Sequence, residues 1–130
     1  MLDCWLNSIT GGKRAVKILI VEDEIFVAMH LEEAFQDLGC SVIGIAPDTE
    51  TALALGEQEP QIAVVDLNLR DGFTGPQIAR ELAKRYGTKV FYLTGNPREA
   101  GEPFEGLLGI KSKPWADEDL HEIVERARSA

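Results

Sequence analysis

Four apolar runs in this sequence each end on a polar residue that could take part in phosphoryl chemistry. The first ends on the acid pair Glu22 and Asp23, a later one on Asp66, and two more on Thr94 and Lys113. Taken singly, a strand-terminal acid or threonine usually caps a turn or a helix, and a lysine is usually solvated. Four such residues at the ends of four strands are a much rarer coincidence, which indicates a single site.

The residue types point to a particular chemistry. Three carboxylates close together repel one another unless a divalent cation lies among them. Oxygen ligands without His or Cys select Mg²⁺, with Mn²⁺ also possible, over zinc. Such a metal could neutralise a phosphoryl group, with Lys113 on its other side and the Thr94 hydroxyl as a further donor. Asp66 is then the nucleophile, which forms an acyl phosphate.

The elements that would gather these residues alternate along the chain. Apolar runs predict strands over 17–21, 41–46, 61–66, 89–93 and 106–112, and apolar stripes predict helices over 24–38, 48–56, 74–85 and 117–128. This alternation indicates an α/β domain with a parallel sheet. Because parallel strands end at one edge of the sheet, the four polar residues would meet there.

The first helix carries two expectations. Phe26, Met29 and His30 lie in its first two turns, largely off the predicted core stripe. An apolar patch beside the acid pocket would suit a helical partner, and the alternative is that Phe26 packs under a neighbouring loop. The predicted core stripe consists of Val27, Leu31, Ala34 and Leu38, with Phe35 beside it.

The stretch after Thr94 is a poor helix former, because residues 95–106 contain three glycines and two prolines. An interior glycine costs a helix about 1 kcal/mol relative to alanine, and an interior proline about 3 kcal/mol. Only Ala100 and Phe104 could face the sheet. We therefore predict a shortened or mobile fourth helix, which phosphorylation orders in part through the Thr94 hydroxyl.

Length and charge narrow the class of protein. The chain has 130 residues, which suits one domain, and its net charge of −9 argues against nucleic-acid binding. No apolar run approaches the roughly 20 residues that span a bilayer. The N-terminus lacks a secretory pattern, and Cys4 and Cys40 show no CxxC spacing, so a reduced cytoplasmic protein is expected. Residues 1–16 are predicted to be an N-terminal tail.

Over about residues 17–128, the sequence resembles the receiver domain of the two-component response-regulator family. The matching pieces are VEDE, VVDLNL, YLTG and SKPW. The resemblance implies a flavodoxin-like (βα)5 doubly wound parallel sheet with strand order 2-1-3-4-5. It implies phosphorylation of Asp66 by a histidine kinase or histidine phosphotransfer protein. It also implies Mg²⁺ bound by Asp23, Asp66 and the backbone carbonyl of Asn68, with Glu22 helping through water.

Two departures from the family pattern concern how a signal would leave the domain. Ile110 stands where the family usually has an aromatic switch residue, three positions before Lys113, and Arg70 replaces a usual proline. The expected function is that of a stand-alone phosphoacceptor switch that signals through an unidentified protein. It would catalyse only its own phosphorylation and dephosphorylation, and is not otherwise an enzyme. The alternative is a phosphate sink or docking-only receiver that titrates a kinase without an output of its own.

Two functions from other classes are less compatible with the sequence. A flavodoxin-like FMN carrier needs a phosphate-cradling loop after the first strand, where the acids of VEDE would repel phosphate. A phosphoaspartate hydrolase would carry a DxD signature at its nucleophile, whereas Asp66 is followed by Leu67 and Asn68.

Overall fold

A computed structural model of the protein describes residues 15–129. The predicted N-terminal tail therefore lies outside the described residues except for Ala15 and Val16. Val16 is buried, and its carbonyl accepts a hydrogen bond from the backbone N–H of Ser41 at 2.8 Å.

One parallel sheet of five strands forms the centre of the structure, in the order β2-β1-β3-β4-β5. This order confirms the predicted doubly wound arrangement. Two of the three inner strands, β1 and β3, are apolar along nearly their whole length because helices cover both faces of the sheet. The strands are β1 (Lys17–Val21), β2 (Ser41–Ala46), β3 (Ile62–Val65), β4 (Lys89–Thr94) and β5 (Leu107–Ser112).

The described residues form four helices longer than one turn: α1 (Ile25–Asp37), α2 (Thr49–Gly56), α3 (Gly75–Tyr86) and α4 (Asp117–Ser129). Helices α1 and α4 pack on one face of the sheet, and α2 and α3 pack on the other. Asp48 caps α2 by accepting the N–H of Thr51 at 3.0 Å. No helix in the described range is long and apolar enough to cross a membrane.

The predicted core stripe of α1 faces the core, but the centre of the buried face is shifted from it by part of a turn. The fully buried residues are Ala28, Leu31 and Phe35. Phe35 has the largest apolar side chain of the helix that is fully buried, and placing its ring against the sheet fixes the rotation of α1. The other members of the predicted stripe are half-buried at the margin of this face: Val27, Ala34 and Leu38.

The crossover between β4 and β5 has only a single 3₁₀ turn, Pro97–Glu99, which confirms the shortened fourth helix. Gly101 and Gly106 take positive φ angles of 76° and 110°, which bend the chain away from a helical path. Ala100 is buried and Phe104 is half-buried against the α2–α3 side of the core, as predicted. We call residues 95–106 the crossover segment.

Candidate functional site

Polar side chains from four strand ends meet at the carboxyl edge of the sheet. Glu22 and Asp23 follow β1, Asp66 follows β3, Thr94 ends β4, and Lys113 follows β5. The backbone N–H groups of Glu22, Asp66 and Lys113 each donate a 2.9 Å hydrogen bond to an adjacent strand. The sheet ladder therefore continues one residue past these strands and fixes where each side chain begins.

Lys113 joins two of the carboxylates directly. Its Nζ donates hydrogen bonds to Glu22 Oε1 at 2.6 Å and to Asp66 Oδ2 at 2.9 Å. Burial works against the charge of Lys113, but hydrogen bonds and charge from both carboxylates outweigh it, so the pKa of Lys113 lies above its ordinary value. Burial raises the pKa of Glu22, and the hydrogen bond from Lys113 opposes that rise.

The acid cluster has the composition of a site for a hard divalent cation. Glu22, Asp23 and Asp66 each offer a carboxylate oxygen, and these three oxygens lie within 4.8 Å of one another. Lys113 pairs with Glu22 and Asp66 but forms no ion pair with Asp23. An excess of negative charge on oxygen ligands, without His or Cys, fits Mg²⁺ or Mn²⁺.

Asn68 lies two residues beyond Asp66 in the β3–α3 loop, and its side chain is exposed. In the loops and turns of residues 15–129, no backbone N–H donates a hydrogen bond to the carbonyl of Asn68. The role of that carbonyl as a metal ligand, which the family resemblance implies, stays a prediction.

Thr94 is fully buried at the end of β4. Its Oγ1 accepts the backbone N–H of Asn96 at 3.0 Å, so the hydroxyl keeps its own proton available for donation. Thr94 thus links the site to the first residues of the crossover segment.

The β3–α3 loop contains a close contact that sequence reasoning missed. A Cβ on Gly75 would lie 2.1 Å from the backbone oxygen of Asp66, so only glycine lets α3 begin this close to Asp66. The N–H of Gly75 donates to the Leu67 carbonyl at 3.0 Å, and Asp66 Oδ1 accepts the N–H of Leu67 at 2.7 Å. Nothing in the local sequence distinguishes this glycine from an ordinary turn glycine.

Asp71 connects the same loop to the start of α2, a contact that sequence reasoning also missed. Its carboxylate accepts the Thr74 hydroxyl at 2.6 Å and the backbone N–H of Thr49 at 3.1 Å. Hydrogen bonds from Thr74 and then Thr49 lower the pKa of Asp71 to about 2. The Asp-Gly pair at 71–72 marks a turn in the sequence, but the contact with α2 is visible only in the fold.

The proposed docking residues on α1 are exposed. Phe26 is 83% exposed and Met29 is 52% exposed, so the alternative in which Phe26 packs under a loop is wrong. His30 is also exposed, and its ring lies 5.2 Å from that of Trp115, just beyond Lys113. Two further exposed apolar residues, Ile25 and Phe73, were not singled out from the sequence.

Comparison with known proteins assigns the family. The family model described as "Response regulator receiver domain" matches residues 18–125. The chain belongs to this family. Receiver domains are signalling domains rather than enzymes in the usual sense.

Individual relatives agree with this assignment. The chain is 31% identical over 117 residues to the phyllosphere-induced regulator PhyR of Methylorubrum extorquens, covering 87% of this chain and 43% of that protein. It is 29% identical over 119 residues to the transcriptional regulatory protein PdtaR of Mycobacterium tuberculosis, covering 87% and 57%. The chain thus spans about half the length of these curated relatives.

The fold resembles a solved receiver structure. The solution structure of the receiver domain of Erythrobacter litoralis PhyR superposes with a TM-score of 0.79 at 24% identity, covering 88% of this chain and 91% of that one. Within this receiver fold, Ile110 is 42% exposed on β5 and pairs in register with Tyr92 of β4.

Proposed function

We propose that this receiver domain accepts a phosphoryl group on Asp66 from a phosphohistidine of a histidine kinase or a histidine phosphotransfer protein. The observation that carries the proposal is the 2.9 Å hydrogen bond from Lys113 Nζ to Asp66 Oδ2, beside the metal-competent acid cluster. A carboxylate that lies between a cation and a metal site can be phosphorylated without a build-up of uncompensated charge.

The residues divide the chemistry among them. An oxygen of Asp66 forms a bond to phosphorus while the P–N bond to the partner's imidazole breaks, and the imidazole keeps the electron pair. Lys113 then binds one phosphoryl oxygen, and the Thr94 hydroxyl donates to another. Asp23, Asp66 and the carbonyl of Asn68 would hold Mg²⁺, with Glu22 in support, and the bound metal would neutralise phosphoryl charge.

The partner would dock on the first two turns of α1. Phe26 and Met29 present apolar area to solvent directly after the acid pair, and His30 extends this surface toward Trp115. A helix that carries a phosphohistidine could bury these side chains while its imidazole reaches Asp66. We call Phe26, Met29 and His30 the α1 patch.

The output we propose is an order–disorder change of the crossover segment that a downstream protein senses. Ile110 has no ring that could report phosphorylation by rotating, whereas Thr94 contacts the segment through Asn96. We place this signalling in the cytoplasm, where the buried free thiol of Cys40 would stay reduced. The alternative is a receiver that drains or titrates a kinase without a change in this segment.

Labelling tests the proposal. Incubation with Mg²⁺ and acetyl phosphate should add one phosphoryl mass that hydroxylamine removes, and Asp66→Asn should abolish it. Asp37→Asn, an exposed acid at the end of α1, should leave labelling unchanged. Persistence of the label in Asp66→Asn would refute the assignment. If Asp66 is fully labelled but amide exchange over residues 95–106 does not change on labelling, the result would favour the alternative, a phosphate sink without an output of its own.

A further inference from the structure

Arg80 of α3 holds the crossover segment against the rest of the domain. Its guanidinium donates a hydrogen bond to the carbonyl of Glu102 at 3.0 Å. The same group lies over the ring of Phe104, 4.8 Å from its centroid. One side chain thus binds the segment both by a hydrogen bond and by a cation–π contact.

A buried polar atom lies beneath the segment. The side chain of Tyr92 is fully buried, and its hydroxyl has no hydrogen-bond partner among the described residues. The Phe104 ring meets the Tyr92 ring edge-on, with 6.4 Å between centroids. Because a buried hydroxyl without a partner is less stable than a solvated one, closing the segment over Tyr92 carries a cost that opening would relieve.

Few other bonds hold the segment in place. Away from its two ends, the hydrogen bonds of the described segment are local, such as Glu99 N–H to the Asn96 carbonyl at 3.0 Å. The bond from Arg80 is the exception. A solvent-open groove of about 490 Å³ lies beside the segment, and it is lined by Arg80, Ala83, Lys84, Phe104 and Glu105.

We propose that Arg80 and Phe104 form a latch that holds the crossover segment closed, and that the unpartnered Tyr92 hydroxyl keeps this latch close to opening. The sequence predicts a segment that phosphorylation orders. Because Arg80 already holds the segment in the structure, the geometry points to release as the signalling step.

A route from the acid cluster to the latch runs along β4. Tyr92 and Thr94 are two residues apart on this strand, so their side chains lie on the same face. If the Thr94 hydroxyl turns toward a phosphoryl group on Asp66, its 3.0 Å hydrogen bond from Asn96 is strained at the start of the segment. This coupling rests on the proposed function, whereas the latch itself does not.

Amide hydrogen exchange tests the latch in the unphosphorylated protein. Arg80→Ala should speed exchange over residues 95–106 about tenfold while β1 and β3 stay protected. Tyr92→Phe, which removes only the hydroxyl, should slow exchange there and raise the Tm. Arg85→Ala is the matched control, because Arg85 on the same helix pairs with Glu81 at 2.9 Å. Unchanged exchange in Arg80→Ala, or faster exchange in Tyr92→Phe, would overturn the latch.

A second arm adds Mg²⁺ and beryllofluoride as the acyl-phosphate mimic. We expect faster exchange over residues 95–106 in the wild type, little further change in Arg80→Ala, and no response in Thr94→Val. A wild-type segment that becomes more protected would overturn release as the signalling step. If acetyl phosphate does not label Asp66 of the wild type, the proposed function is refuted. The exchange experiment in the unphosphorylated protein would still test the latch.

Discussion

Lys113 Nζ lies 2.6 Å from Glu22 Oε1 and 2.9 Å from Asp66 Oδ2, so one ammonium bridges the carboxylates that follow β1 and β3. These strands are neighbours in the centre of the sheet. The side chain of Glu22 is only 2% exposed, and without Lys113 it would keep a hydrogen bond from the backbone N–H of Glu24 at 3.1 Å but lose its paired positive charge. The same lysine that would bind a phosphoryl oxygen therefore also stabilises the metal-free fold.

Replacing Lys113 should separate these two roles. Lys113→Met should lower metal-free stability by about 3 kcal/mol, because it leaves two poorly solvated carboxylates without their cation. The same change should tighten Mg²⁺ binding by on the order of tenfold, since a competing positive charge is gone. Urea unfolding with and without Mg²⁺ measures both effects.

Lys111→Met is the matched control for that experiment. Lys111 lies on β5, two residues before Lys113, and pairs with Glu122 at 2.6 Å and Asp119 at 3.7 Å, both more exposed than the acids that Lys113 joins. Its loss should cost less than about 1 kcal/mol and leave Mg²⁺ affinity unchanged. Equal losses of stability in the two variants would contradict the bridging role of Lys113.

Asp23 should behave in the opposite way to Lys113. It adds negative charge to the cluster but has no ion-pair partner among the described residues, so its repulsion with Glu22 and Asp66 is not offset. Asp23→Asn should raise metal-free stability by roughly 1 kcal/mol and weaken both Mg²⁺ binding and labelling at Asp66.

Thermal melts across a Mg²⁺ titration check this prediction. Mg²⁺ at about 100 times its Kd should stabilise the wild type by about 2.7 kcal/mol, and Asp23→Asn should gain much less at the same concentration. Glu33→Gln, an exposed acid in the middle of α1, controls for the loss of one negative charge. A metal-free Asp23→Asn protein that melts below the wild type would refute the repulsion argument.

The meeting of these polar side chains at one edge of the sheet was predictable because it depends on which residues end the strands. A parallel sheet brings such ends together whatever the details of packing, so the four strand-end positions could be read from the sequence. The shortened crossover was predictable for a similar reason, since its glycines and prolines act locally.

Features that depend on long-range packing were not predictable. The rotation of α1 is set by how Phe35 fits the sheet, and a spacing rule weighs Phe35 and Ala34 alike. The contact between Asp71 and Thr49 joins residues 22 positions apart. Arg80 and Glu102 are also 22 apart, and neither position is distinctive in the sequence.

The α1 patch should affect transfer from a protein donor but not from a small molecule. Phe26→Ala and Met29→Ala should each lower the kcat/KM of transfer from the cognate kinase by about tenfold, roughly 1.4 kcal/mol of lost docking. Labelling by acetyl phosphate should be unchanged, because these side chains are exposed and support no core.

Ile110→Ala is a suitable control for docking, since Ile110 is an exposed apolar residue on β5, at the edge of the sheet. It should leave both reactions unchanged. Equal losses with both donors in Phe26→Ala would indicate a folding defect, and no loss with the kinase would move the docking surface elsewhere.

Asp71 should affect how the free energy of unfolding falls at acid pH. Its pKa is lowered from 3.8 to about 2 by the Thr74 hydroxyl and then by Thr49, so the unfolded chain takes up a proton at higher pH than the native one. The stabilisation from Asp71 is therefore fully present above the unfolded value of about 3.8, and it is lost as the pH falls through about 2. The urea midpoint should be measured from pH 6 to pH 2. Below pH 4 it should fall less steeply in Asp71→Asn than in the wild type. Thr74→Val should have a smaller effect of the same kind. If the urea midpoints of the wild type and Asp71→Asn fall in parallel across this range, the hydrogen bonds of Asp71 contribute nothing to stability in acid.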